Sequence, residues 1–192
     1  MDHLLENSIM TDTELAALSL YNQEYFGILI ERYEEKLRRY VRRITYVSDE
    51  DQEDILQNVF LKAYINLNGF NKKLSFNSWI YRITHNEVID WSRKEKTRKK
   101  YGYYDHDDEL FTWTEDTQHF LKELDVRDRK VEVGKILERL DLKYREILVL
   151  RFMEGQSYRD MSDILKKPEG TIATLVNRAK QSFKEHYEEF TT

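Results

Sequence analysis

Near the C-terminus, one segment carries side chains whose types and spacing suit DNA recognition. Asn177 and Arg178 have the hydrogen-bond donor patterns that read the edges of adenine and guanine. Apolar residues at helical spacing predict a helix here, preceded by a short helix and a tight turn, as in a helix-turn-helix. A solvated face on an ordinary helical hairpin explains the periodicity equally well. The residues expected to face outward are Thr171, Ala173, Thr174, Asn177, Arg178 and Gln181.

No residue pattern indicates an enzyme. The chain has no cysteine, which excludes thiolate nucleophiles and cysteine-ligated metal sites, and it has no glycine-rich phosphate loop or nucleophile motif. A calcium loop starting at Asp105 fails, because Leu110 replaces the required glycine and Asp116 the required glutamate. We therefore expect no catalytic activity, no metal and no other cofactor. The five histidines show no ligand spacing: His3, His85, His106, His119 and His186.

Composition predicts a helical protein with a locally basic surface. Hydrophobic residues make up 40% and charged residues 35% of 192 residues, with one proline and six glycines, too few turn formers for an all-β chain. The formal charge of −5 argues against binding polyanions over the whole surface. The apolar runs are too short to span a membrane, and the acidic N-terminus does not resemble a signal peptide. We expect a cytoplasmic protein with no membrane span.

Three helices are predicted in the first half of the chain. Between residues 26 and 44 the apolar residues recur at steps of three and four, which predicts one long amphipathic helix. A polar break follows, in which Ser48 or Asp49 can cap a second helix. After a second break, Ser75 can cap a third helix. The three apolar stripes predict a first core.

The net charge of the sequence changes from positive to negative just after the third predicted helix. Residues 93–100 carry six bases and one acid, whereas residues 105–116 carry six acids and no base. Such blocks cannot bury apolar area, so we expect a solvated linker. Four further helices are predicted beyond it, with Gly155 as a C-cap, Ser157 with Asp160 as a capping box and Pro168 in the last helix's first turn.

These patterns predict an all-α fold of two small helical domains joined by a flexible acidic linker. The last two helices of the second domain form the predicted helix-turn-helix. The predicted boundaries are an N-terminal segment at 1–22, a first domain at 23–100, the linker at 101–128 and a second domain at 129–192.

Several segments resemble bacterial sigma factors. LDLKYREILVLRFMEGQSY at 140–158, continued at 170–172 and 177–180, is similar to their C-terminal promoter-binding domain. DQEDILQNVFLKAY at 51–64 resembles their polymerase-binding helix, and SFNSWIYRITHN at 75–86 resembles their promoter-melting helix. The blocks occur in the family's order around a variable linker. The short chain is similar to the extracytoplasmic-function (ECF) type.

The resemblance implies binding to core RNA polymerase. The second helix of the first domain is expected to dock on the clamp coiled coil of the β′ subunit, and the C-terminal domain on the β flap. Acids at a helix N-terminus are also favoured by its dipole, but Gln57 and Asn58 lie beyond the dipole's reach, which favours docking. The candidate polymerase contacts are Asp51, Glu53, Asp54, Gln57 and Asn58.

The resemblance also implies that the loop at 68–75 captures a base flipped out of the minus-10 element's non-template strand. Phe76 and Trp79 fall on the apolar stripe and are expected in the core. Asn86 and Asp90 are expected on the inner face of the third helix, bonded internally. The candidate minus-10 contacts are Asn68, Phe70, Asn71, Lys72, Lys73, Ser75, Arg82, His85, Arg93 and Lys94.

At the minus-35 element the chain departs from the family pattern. Ala173 and Leu175 stand where Lys or Arg is frequent in the family, so weaker attraction to phosphates is expected. The acidic stretch 105–109 could mimic nucleic acid in a basic polymerase channel, although a solvated linker is the simpler interpretation. The candidate minus-35 contacts are Lys166, Lys167, Thr171, Thr174, Asn177, Arg178 and Lys180.

The resulting hypothesis is a sigma factor that binds core RNA polymerase and directs initiation at promoter DNA by recognising the minus-35 duplex and the melted minus-10 strand. An anti-sigma factor is a further expected partner. A stand-alone helix-turn-helix regulator is the alternative, but it leaves the first domain's motifs unexplained. A metal-dependent nuclease is a more distant alternative.

Overall fold

The computed structural model describes residues 10–45, 47–98 and 130–191, and their regular elements are all helical. The all-helical, two-domain fold is thus confirmed, and each compact unit is described separately below. The helices are α1 (Asp12–Leu18), α2 (Glu24–Thr45), α3 (Asp49–Ile65), α4 (Phe76–Arg98), α5 (Lys130–Arg139), α6 (Leu142–Leu148), α7 (Tyr158–Leu165) and α8 (Glu169–Thr191).

The first unit contains α1, most of α2, α3 and α4. The predicted long amphipathic helix is confirmed as α2, which buries its apolar stripe completely at Leu37 and Tyr40. α3 packs along α4 and contributes Ile55 and Val59 to the core. The remaining core residues of α3 and α4 are Leu56, Ala63, Phe76, Ile80, Tyr81 and Val88.

Serine caps set the starting points of α3 and α4. Ser48 Oγ accepts a hydrogen bond from the amide of Asp51 at 3.2 Å, so Ser48, and not Asp49, is the N-cap of α3. Ser75 Oγ accepts from the amide of Ser78 at 3.2 Å and caps α4 in the same way. The Ser75 cap therefore marks the end of the loop that joins α3 to α4.

α1 was not predicted, although the sequence carries its start signal. The amide of Thr11 donates to Glu14 Oε2 at 2.8 Å, and the amide of Glu14 donates to Thr11 Oγ1 at 3.3 Å, which is a complete capping box. Leu15 and Ala16 are buried, and α1 packs against α4. Seven residues are too few for an apolar stripe, so only the cap pattern could have revealed this helix.

The second unit contains α5 to α8, and α8 packs against each of the other three helices. Its fully buried side chains include Ile136, Ile147, Leu150 and Phe183. The capping box predicted from Ser157 and Asp160 at the start of α7 is confirmed. α8 begins at Glu169, and the carbonyl of Pro168 accepts its first backbone hydrogen bonds.

One predicted helix of the second unit is divided. α6 ends at Leu148 and continues as a π-helical turn, Val149–Met153, closed by a bond of 2.9 Å from the amide of Glu154 to the carbonyl of Val149. The wider turn buries four of its five side chains, all except that of Arg151. Gly155, at a φ of 66°, then ends the segment as predicted.

Within the described part of the chain, no helix is both long enough and apolar enough to cross a membrane.

Candidate polymerase and DNA interfaces

The N-terminal half of α3 exposes most of the predicted polymerase contacts. Glu53, Asp54, Gln57 and Asn58 are all exposed. Asp51 is half-buried, and its carboxylate accepts a hydrogen bond from Ser48 Oγ at 2.8 Å, so it also takes part in capping α3. Four of the five predicted side chains are therefore displayed on one helix.

Beside these residues lies an open groove of about 470 Å³ between α2 and α3. Phe26, Ile30 and Phe60 contribute apolar surface to it, and Glu53 and Gln57 belong to its lining. Two neighbouring side chains of α3 are strongly exposed for apolar residues, Leu61 at 57% and Ile65 at 65%. We call the groove with Leu61 and Ile65 the α3 groove. The full lining is Phe26, Ile30, Glu34, Arg38, Glu53, Leu56, Gln57, Phe60, Leu61 and Tyr64.

Sequence reasoning missed the apolar half of this surface. The usable signal was that Leu61 and Ile65 fall outside the register of the buried residues Val59 and Ala63. Apolar residues beyond the core stripe of an amphipathic helix indicate a second contact surface. The α3 groove therefore offers apolar contact area next to hydrogen-bonding groups.

The loop between α3 and α4 presents a cluster of exposed polar side chains. It opens with a single 3-10 turn, Leu67–Gly69. Asn71 Oδ1 then accepts from the amide of Lys73 at 3.0 Å, and the carbonyl of Asn71 accepts from the amide of Leu74 at 2.8 Å. These bonds form a tight turn at residues 71–74. The exposed side chains of the loop include Asn68, Asn71, Lys72 and Lys73. We call residues 68–75 the recognition loop.

Three aromatic rings anchor the recognition loop. Phe70 is only 8% exposed, and its centroid lies 5.6 Å from that of Phe76 and 5.2 Å from that of Trp79. Phe70 is one of the candidate minus-10 contacts, but both neighbouring rings cover it, so little of its surface is left to meet a base. Trp79 was expected in the core but is partly exposed, whereas Phe76 is buried as expected. Phe70 therefore holds the loop in place.

On α4, the prediction for Asn86 and Asp90 was wrong. Both side chains are exposed, because Glu87 and Val88 occupy the inner face at that point of the helical turn. Buried Glu87 forms an ion pair with Lys62 of α3. The outer residues border a polar cleft of about 510 Å³ lined by Lys62, Asn66, Ile83, His85, Asn86, Ile89, Asp90 and Arg93.

The other predicted minus-10 residues of α4 are accessible to different degrees. Arg82 and His85 are half-buried, and Arg93 and Lys94 are exposed. The side chains of residues 95–100 in the basic run are not among those described. Within the described side chains, cationic groups thus extend along α4 away from the recognition loop.

The helix-turn-helix is formed by α7 and α8. Lys166 ends α7 in the left-handed region, with φ 52° and ψ 47°, and Ser162 Oγ donates to the carbonyl of Lys167 at 2.6 Å. The Thr174 hydroxyl donates to the carbonyl of Gly170 at 2.9 Å, within α8. Lys180 is half-buried. The remaining predicted minus-35 residues are exposed, namely Lys166, Lys167, Thr171, Thr174, Asn177 and Arg178.

The predicted acidic linker at 101–128, with its stretch at 105–109, lies outside the described residues. Of the residues that the structure does describe, none form a group of three or more His, Asp or Glu side chains that could hold a metal ion.

Comparison with known proteins identifies both units. A model of sigma-70 region 2 matches residues 29–98, and a model of sigma-70 region 4 matches residues 130–183. The ECF RNA polymerase sigma factor SigW of Bacillus subtilis is 29% identical over 172 residues, which cover 85% of this chain and 89% of SigW. The ECF RNA polymerase sigma-E factor of Escherichia coli K12 is 28% identical over 169 residues, covering 84% and 85%.

Two solved structures share the fold. CnrH, solved in complex with the cytosolic domain of CnrY, superposes with a TM-score of 0.68 at 22% identity, covering 93% of this chain and 97% of CnrH. The sigma factor RpoE of Bartonella quintana, solved with the anti-sigma factor NepR, has a TM-score of 0.63 at 21% identity, covering 88% and 98%. The resemblance stated from the sequence is confirmed by the two region models and the relatives. The chain belongs to the sigma-70 family of RNA polymerase factors and is of the ECF type.

Proposed function

We propose that this sigma factor, which directs promoter-specific transcription initiation, uses three surfaces of the chain. One binds core RNA polymerase, one the minus-10 strand and one the minus-35 duplex. The α3 groove with Glu53, Asp54, Gln57 and Asn58 binds the clamp coiled coil of the β′ subunit. The recognition loop and α4 hold the unpaired minus-10 strand. The exposed face of α8 binds the minus-35 duplex, and its domain contacts the β flap.

The observation that carries the polymerase assignment is the pairing of exposed amides with apolar surface on α3. Gln57 and Asn58 lie beyond the first turn, so neither the cap nor the helix dipole accounts for them. Leu61 and Ile65 expose large apolar side chains on the following turns. An apolar centre beside hydrogen-bonding groups is the usual composition of a protein interface.

Promoter opening in this proposal needs no chemical step. A base that leaves the duplex loses stacking and pairing energy, and a protein that binds only the extruded base shifts the equilibrium towards the melted state. Asn68, Asn71 and Lys72 supply exposed amide and ammonium groups for the edge of that base and its phosphate. Catalysis is therefore not part of the proposal, and hydrolysis of DNA by the purified chain with Mg²⁺ would contradict it.

The minus-35 contact relies on hydrogen bonding more than on charge. Three of the four predicted contacts that α8 exposes are uncharged, namely Thr171, Thr174 and Asn177, and the fourth is Arg178. Lys166 and Lys167 lie in the turn that precedes α8. Few neutralised phosphates imply weak binding of the duplex by the chain alone and a shallow dependence on salt concentration. Stable promoter binding then requires the polymerase, which distinguishes this protein from a stand-alone helix-turn-helix regulator.

An inhibitory partner is part of the proposal, because the two solved relatives with this fold are complexes, CnrH with the cytosolic domain of CnrY and RpoE with the anti-sigma factor NepR. The α3 groove exposes apolar side chains that a partner helix could cover. An anti-sigma factor bound there would exclude the polymerase by occupying the same surface. Function in the cytoplasm, where transcription takes place in bacteria, follows from the same proposal.

The decisive experiment is a titration of core RNA polymerase with the labelled chain in the absence of DNA. The double variant Gln57→Ala, Asn58→Ala is expected to weaken binding at least tenfold, because interface hot spots are worth about 2 kcal/mol or more. The matched control is Asn177→Ala, Arg178→Ala on α8, which should keep most of the polymerase affinity and lose selective initiation at promoters. A wild-type chain that binds promoter duplex tightly but ignores the polymerase would establish the regulator instead.

A further inference from the structure

α1 is joined to α2 by hydrogen bonds, and its buried apolar side chains belong to the core of the first unit. Arg32 Nη1 donates to the carbonyl of Met10 at 2.9 Å and to Asp12 Oδ1 at 2.6 Å. The hydroxyl of Tyr33 donates to the other carboxylate oxygen, Asp12 Oδ2, at 2.5 Å. Leu15 at 0% exposure anchors the helix in the core. The Asp12 carboxylate therefore holds two neighbouring side chains of α2 at once.

Tyr33 connects this carboxylate to the aromatic rings beneath the recognition loop. Its side chain is 2% exposed, and its ring meets that of Phe76 edge-on with centroids 5.4 Å apart. Phe76 in turn contacts Phe70 and Trp79, with centroids 5.6 and 5.4 Å away. Phe70 is a residue of the recognition loop itself. A continuous chain of contacts thus runs from Asp12 to the loop.

The hydroxyl of Tyr33 is the polar end of an otherwise buried ring. Burial raises the pKa of Tyr33 far above its ordinary value, and the hydrogen bond to Asp12 raises it further, so the hydroxyl remains a donor. The hydrogen bond to Asp12 fixes the hydroxyl end of the ring, and a buried hydroxyl without an acceptor costs free energy. The Asp12 carboxylate thus holds one end of the ring whose edge contacts Phe76.

α1 lies outside the part of the chain that the region 2 model matches, which begins at residue 29. We propose that α1 is a positioning element for minus-10 recognition, in which Asp12 acts through Tyr33 and Phe76 to fix the recognition loop in its base-binding conformation. This inference rests on the proposed function, because it assumes that the recognition loop holds the flipped base. Asp12 and Tyr33 are positioning residues and do not touch DNA.

The recognition loop has reason to need such support. In the described structure the recognition loop is joined to the rest of the unit at one end by the Ser75 cap of α4 and near its middle by the aromatic contacts of Phe70 with Phe76 and Trp79. A site that reads one base by hydrogen bonds needs its donors held to within a fraction of an ångström. Preorganising the loop lowers the cost of ordering it when the base arrives.

The test uses the full chain in reconstituted holoenzyme, on a promoter obtained by sequencing the 5′ ends of wild-type transcripts. Tyr33→Phe keeps the ring and removes the hydroxyl, and Asp12→Ala removes the acceptor. Each is measured for core affinity and for discrimination among the four bases at the flipped position, on duplex and on premelted templates. Glu31→Ala, at an exposed position of α2, is the matched control.

Both single variants are expected to lower base discrimination about tenfold, and the double variant no further, as contacting residues in one network behave non-additively. Core affinity is expected to stay within about twofold of wild type and the Glu31→Ala variant to behave like wild type. A purely structural role predicts that discrimination and core affinity fall together, and that result overturns the inference, as does unchanged discrimination in both variants. A wild-type chain that binds no core polymerase overturns the proposed function first, so the two failures are distinguishable.

Discussion

Arg145 Nε donates a hydrogen bond to the carbonyl oxygen of Leu137 at 2.8 Å, across the turn from α5 to α6. Nη2 of the same guanidinium donates to the carbonyls of Glu138 at 2.7 Å and Leu140 at 3.1 Å. The last carbonyls of a helix have no donor within the helix itself. The planar guanidinium of Arg145 therefore serves as the C-terminal cap of α5.

Arg145→Ala is expected to destabilise the second unit by about 2 to 4 kcal/mol, because it removes four charge-assisted hydrogen bonds, the fourth from Nη1 to the carbonyl of Ile44 at 3.0 Å. Hydrogen exchange should show faster exchange at residues 130–153, while α3 and α4 keep their protection. Arg145→Lys should recover less than half of the loss, since an ammonium cannot reproduce the planar fork. Arg159→Ala, at an exposed position of α7, is the control, and an equal effect there would refute the capping role.

Lys166→Gly is expected to stabilise the helix-turn-helix and weaken its hold on DNA. A non-glycine residue at a φ of 52° is strained, so glycine should raise the free energy of unfolding by about 0.5 to 1 kcal/mol. Losing one phosphate contact should lower the salt dependence of minus-35 binding, measured as log K against log salt, by about one unit. Lys166→Asn, which tolerates the left-handed region, should lose the contact with less gain in stability. An unchanged salt slope in both variants would remove Lys166 from the DNA interface.

Replacing Asn71, Lys72 and Lys73 together by alanine is expected to abolish promoter opening while core binding survives. These side chains are exposed on the recognition loop, and the aromatic anchor at Phe70 is left intact. Permanganate reactivity of unpaired thymines in the minus-10 region measures opening, and fluorescence titration measures core affinity. If core affinity falls as much as opening, the loop belongs to the polymerase interface and the assignment is wrong.

The capping box of α1 predicts a depressed pKa for Glu14. The backbone hydrogen bond from Thr11, and then that from its hydroxyl, lower the pKa of Glu14 below 4.5. Folding lowers the pKa of this carboxyl, so its ionised form stabilises the folded state at any pH above the pKa in the unfolded chain. The stabilisation is lost as the pH falls through the lower pKa of the folded state. The carboxyl carbon of Glu14, followed by NMR, should titrate below 4.5, and Thr11→Ala should raise that midpoint. An identical midpoint in the variant would mean that the capping box does not form in solution.

Periodicity and cap residues alone determined most of the helical architecture. α2 has five turns of uninterrupted apolar spacing, and Ser48, Ser75 and Ser157 mark helix starts by a local side-chain bond. Such signals are local in the chain, so no tertiary contact is needed to read them. The exposed polar residues of α3 and α8 were predictable for the same reason, since they lie opposite an apolar stripe.

Only the tertiary structure decided what depends on contacts between elements distant in sequence. Phe70 is a candidate DNA contact by its place in the sequence, but Phe76 and Trp79 cover it in the structure. Asn86 was expected on the inner face of α4, but the helix turns it outwards. The contact between Asp12 and Tyr33 joins residues 21 positions apart, a separation at which no sequence period operates. Packing between helices determines such relationships. The apolar periodicity of one helix does not show which neighbouring helix will cover it.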